Sequence, residues 1–89
     1  MQDISINELH GEAQKGIALL EYSIIELLKQ HPKGLRNSQI TQLLGLQSEQ
    51  NGQNRDYLAW SLLGILMKKG LVVKCSPNYQ LATLVHTKD

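Results

Sequence analysis

The stretch Gln53–Lys74, QNRDYLAWSLLGILMKKGLVVK, decides how this chain folds. Its apolar residues recur at helical spacing. Leu58, Leu62, Ile65 and Leu66 share one side when each residue turns by about 100°. Lys68 and Lys69 fall where cations favour a helix C-terminus. Gly70 suits the left-handed residue that follows, and LVVK then has strand character. The stretch therefore predicts a helix over about 53–69, capped by Asn51 or Asn54, then a glycine and a strand. On the same wheel Gln53, Tyr57, Trp60, Gly64 and Met67 fall near the side opposite the core stripe, flanked by Lys68. Tyr57 and Trp60 are two of only four aromatic residues in the chain, and both point away from that stripe.

Upstream, GLRNSQITQLLGL (34–46) sets Leu35 ahead of Asn37, a good N-cap. Ile40, Leu43 and Leu44 give a short helix its apolar face. Gly45 fits the end of that helix, and Leu46 folds back to the core. QSEQNGQN (47–54) reads as a polar loop. Earlier still, Ile17, Leu20, Ile24, Leu27 and Leu28 form the stripe of a helix over about 14–30, with Glu21 and Glu26 on the other side. HPKG (31–34) stops that helix. In the first dozen residues Ser5 and Glu8 match a capping box, with Ile6 and Leu9 as a small apolar pair; a short helix and a loose arm both fit. Downstream, LVVKC and YQLA flank the turn residues SPN as a hairpin, and TLVHTKD is a tail that can extend its second strand. The chain divides into an arm or short helix (1–14), a folded domain (15–83) and a tail (84–89).

At 89 residues the chain is one domain with a small core. Hydrophobic residues make up 42% and charged residues 19%, which suits a folded globule and not a disordered chain. The formal charge of +1 does not announce a nucleic-acid binder, although distribution matters more than the total. Cys75 is the single cysteine, so an internal disulfide is impossible; in strand context it reads as a small apolar filler. No apolar run reaches membrane-spanning length, and the opening MQDISINELH lacks the signal-peptide pattern. The expected location is cytoplasmic, with no membrane contact.

The element order is helix, short helix, long helix, hairpin. GLRNSQITQLLGL resembles the second helix of winged-helix DNA-binding domains. LLGILMKKGLVVK resembles their third helix and first wing strand, and YQL their return strand. The resemblance spans about Gly16–Ala82. DYLAWSLLG with KKGLVV is also similar to small winged-helix modules of prokaryotic restriction or defence-associated proteins. The resemblance implies a mainly α winged helix-turn-helix, with a three-helix core and a small antiparallel β-hairpin. It also implies a transcription-regulatory or restriction-associated module whose third helix enters the DNA major groove and whose wing touches the backbone. Family members that bind proteins are also common. Two features depart from the DNA-binding pattern: the outward face of helix three is aromatic or apolar in its middle, and the SPN turn has Lys74 as its only nearby cation.

Two functional readings follow. In the first, Gln53, Asn54, Arg55 and Tyr57 reach double-stranded DNA from the start of helix three, since Gln and Asn pair with adenine and Arg with guanine. Arg36, Asn37, Ser38 and Gln39, with Lys33, meet phosphates near the start of helix two, where a helix N-terminus favours an anion. Lys68, Lys69 and Lys74 hold a second stretch of backbone. In the second reading Tyr57, Trp60, Gly64 and Met67 form an interface for a homodimer or a protein partner. A third possibility is structural: the N-terminal arm covers Trp60 with Ile4, Ile6 or Leu9.

Catalytic chemistry has no foothold. His10, His31, His86 and Cys75 lack metal-ligand spacing, GLRNSQ and NGQNRD lack a phosphate-loop pattern, and no nucleophile–base pair can be named. The expectation is a non-enzymatic module without cofactor or metal.

Overall fold

The computed structural model describes residues 4–50 and 53–85. The elements are α1 (Ile6–Lys29), α2 (Asn37–Leu44), β1 (Ser48–Gln50), β2 (Gln53–Arg55), α3 (Tyr57–Lys68), β3 (Val72–Cys75), β4 (Asn78–Leu81) and the short α4 (Ala82–Val85). The chain is mainly helical, with antiparallel pairs β1–β2 and β3–β4.

α1 is one continuous helix of 24 residues. The Ser5–Glu8 capping box is formed: Ser5 Oγ accepts the Glu8 amide at 3.1 Å, and Glu8 Oε1 accepts the Ser5 amide at 3.1 Å. The helix therefore starts well upstream of the stripe at 14–30, and no loose arm precedes it among the described residues. Only its second half is supported. Ile24 and Leu28 are buried in the core and Leu20, Ile25 and Leu27 pack against it, while no residue from Ile6 to Leu19 is buried. The protruding half stretches the molecule. Its radius of gyration is 15.3 Å, against about 12 Å for a compact chain of this length.

Ile24, Leu28, Leu35, Ile40, Leu62, Leu63, Leu66, Val72 and Tyr79 form the centre of the core. α3 lies at its middle, against α1, α2 and β3. Leu35 acts as a one-residue strand. Its amide donates to the Tyr79 carbonyl at 3.1 Å and its carbonyl accepts the Tyr79 amide at 2.7 Å, so the β3–β4 hairpin is tied to the segment between α1 and α2. The Lys33 carbonyl accepts Gln80 Nε2 at 2.9 Å and Asn78 Nδ2 at 3.2 Å, which fixes the same seam.

Several expectations are corrected. α3 begins at Tyr57 with Asp56 as its N-cap, so Asn54 does not cap it; Asn51 lies outside the described residues. Gln53, Asn54 and Arg55 lie in β2 and not at the start of the helix expected over 53–69. The core stripe of α3 is Ala59, Leu62, Leu63 and Leu66, whereas Leu58 and Ile65 are 42% and 37% exposed. YLAWSLLGILM is apolar almost all round, so periodicity fixes the helix but not its phase; packing against three neighbours turns Ala59 and Leu63 inward. Leu43 is exposed, leaving Ile40 and Leu44 to anchor α2. Asn37 is the first helical residue of α2, and Arg36 is its N-cap. Residues 82–85 turn into α4 instead of extending β4. Cys75 is exposed, not a core filler. Among the described residues no helix is long and apolar enough to cross a membrane.

Candidate functional site

The start of α2, the start of α3 and the β3–β4 hairpin meet at an open groove of about 460 Å³. Arg36, Asn37 and Ser38 line one side, Lys74, Ser76 and Pro77 the other, and Asp56 and Trp60 the third. Local sequence explains each position. Gln39 Oε1 accepts the Arg36 amide at 2.8 Å, so Gln39 serves the helix start. The Arg36 side chain makes no capping bond, and the first amides of α2 remain available for an acceptor, as at any uncapped N-terminus.

Asn37 Nδ2 donates to the Asp56 carbonyl at 3.4 Å, which ties the start of α2 to the start of α3. Asn37 Oδ1 is enclosed and has no hydrogen-bond partner. Across the groove Lys74 Nζ stands 5.6 Å from the centre of the Tyr79 ring, a cation–π distance. Tyr79 is itself buried, so Lys74 is aimed from a fixed platform.

Four residues named from sequence, Arg36, Asn37, Ser38 and Lys74, are thus brought to one groove. Trp60 joins them from α3, as part of the same lining. Tyr57 stands beside it, sharing a smaller depression with Asn37, Asp56 and Trp60. Lys68 is exposed near the other end of α3. Gln53, Asn54 and Arg55 are not on α3, so the expected set of base-reading side chains at the head of that helix is not assembled there. Between Tyr57 and Lys68 the exposed side chains able to hydrogen-bond are Tyr57, Trp60, Ser61 and Lys68 alone.

The aromatic face named in the second reading is open. Trp60 is 61% exposed and Tyr57 58% exposed, which overturns the idea that the N-terminal segment covers them. Trp60, Gly64 and Met67, with Ser61, Ile65 and Lys68, form a shallow depression of about 340 Å³. Trp60 therefore stands between a polar groove and an apolar one. Sequence reasoning missed Ile65 here because it was assigned to the core. Among the described residues no three His, Cys, Asp or Glu side chains come together as metal ligands would.

No protein-family model, curated protein or solved structure matches the chain.

Proposed function

We propose that the chain is a non-enzymatic winged-helix module that binds double-stranded DNA, with the β3–β4 hairpin as its wing and phosphates as its principal contacts. The observation that carries this reading is the segregation of charge. α1 holds Glu8, Glu12, Glu21 and Glu26 against Lys15 and Lys29. Residues 33–80 hold Lys33, Arg36, Arg55, Lys68, Lys69 and Lys74 against Glu49 and Asp56. Lys69 is spent on Glu21, at 2.8 Å. The remaining cations include Arg36 and Lys74, which flank the uncapped start of α2. A formal charge near zero thus conceals an acidic first helix and a basic remainder, with Arg36 and Lys74 brought to one groove, and the local field governs encounter with a polyanion.

Phosphate contacts position a protein on DNA, whereas base contacts specify sequence. With few hydrogen-bonding groups free along α3, this module binds with weak sequence preference. Arg36, Lys74, Lys68 and the α2 amides engage about three phosphates, so the logarithm of affinity falls with the logarithm of salt at a slope near −3. The test is the affinity for a mixed-sequence duplex measured at several salt concentrations. A slope close to zero contradicts the proposal.

A second reading rests on the apolar depression beside Trp60: a protein partner inserting an apolar side chain between Trp60 and Met67. Such binding tolerates salt and is lost in Trp60→Ala, because large aromatic anchors dominate protein interfaces.

A further inference from the structure

The first half of α1 is a helix without support. From Ile6 to Leu19 nothing is buried, and Gly11 and Gly16 weaken that half further. Helices of this length are marginal in water without tertiary packing. Yet an apolar stripe runs along it at Ile6, Leu9, Ala13, Ile17 and Leu20. Spaced by three or four residues, the stripe continues directly into Ile24 and Leu28, which the domain buries. Glu12 and Lys15 bond each other at 3.4 Å, and helical geometry sets them away from the stripe. The surface that covers the stripe in the domain body thus ends near Leu20, while the stripe itself goes on.

We infer that this half of α1 is a dimerisation helix that pairs antiparallel with the same segment of a second copy. The stripe reads alike in both directions about Ala13. Antiparallel pairing sets Ile6 opposite Leu20 and Leu9 opposite Ile17, with Ala13 opposite itself. This is the self-complementarity that a two-fold interface requires, and the small residue at the centre allows close approach. Length fits as well. The partner's helix would begin at its Ser5, alongside the point where the first domain's body takes over the stripe. A parallel pair would bring both bodies against the same faces at one end. A seam about 21 Å long with five stripe residues from each copy is a small interface, so the dimer is expected to be weak and reversible and is sought at micromolar concentrations and above. This surface is separate from the groove at α2 and from the Trp60 face, and the inference does not depend on DNA binding.

Sedimentation equilibrium of the full chain, at concentrations from about 1 to about 300 µM to span that range, tests it. The unmodified chain should pass from monomer to dimer. Leu9→Lys should weaken association at least about 30-fold, because it places a cation in an apolar seam. Ala18→Lys, a change at an exposed position about 140° around the same helix from the middle of the stripe, should leave it unaltered. In a Cys75→Ser background, Ala13→Cys should form an intermolecular disulfide much faster than Glu8→Cys. A monomer throughout the range overturns the inference. So does a dimer indifferent to Leu9→Lys, or equal cross-linking at positions 8 and 13.

Discussion

Replacing Gly34 with alanine will destabilise the domain by about 3 kcal/mol, the sum of a left-handed backbone penalty of about 1–2 kcal/mol and the loss of at least one interstrand hydrogen bond. Gly34 has φ +90°, and a Cβ there would meet the Tyr79 carbonyl oxygen and Gln80 Cγ at 2.7 Å each. The Tyr79 backbone cannot retreat freely, since its amide and carbonyl are both bonded to Leu35. Relief of the clash must therefore loosen the seam between the hairpin and the α1–α2 connection. Gly45→Ala is the comparator. Gly45 also has positive φ, at +67°, but open space around its missing Cβ, so it should lose only the conformational part, about 1–2 kcal/mol. Urea unfolding midpoints of the two variants give the difference. Equal losses would mean that the close approach at Gly34 contributes nothing.

Reversing charge at the groove is the second large effect. Arg36→Glu and Lys74→Glu should each lower affinity for a mixed-sequence duplex by about 30-fold at low salt, and each should make the salt slope less negative by about one. Both side chains are exposed, so folding should be little affected; circular dichroism checks this. Lys15→Glu makes the same change of charge on α1, and there the expected loss is small. If Lys15→Glu weakens binding as much as Arg36→Glu, total charge is responsible and the groove is not the site.

The hairpin was legible because VVKC and NYQL carry strand residues on either side of turn chemistry. The ends of α2 and α3 were legible because Gly45 and Gly70 stand where left-handed geometry is needed; their φ angles are +67° and +77°. Local rules fix such features. The phase of α3 was not legible, because Leu58 and Leu63 are equally apolar and only packing chooses between them. β1 and β2 escaped notice because SEQ and QNR have no apolar alternation. That loss mattered most for function: it placed Gln53, Asn54 and Arg55 on a helix they do not join. Conversely, Lys74 lies far from Arg36 and Ser38 in sequence, and no spacing rule predicts that the Leu35–Tyr79 pairing brings it to their groove.

Trp60 offers the most direct test of DNA binding at that groove. It is the only tryptophan and lines the groove together with Arg36 and Lys74. Its emission should be recorded while mixed-sequence duplex DNA is added, first at low and then at moderate salt. The account predicts a saturable change in the parent chain that shrinks as salt rises and is largely lost in Arg36→Glu. Emission that stays flat at low salt, or a change that persists undiminished in Arg36→Glu, would contradict it.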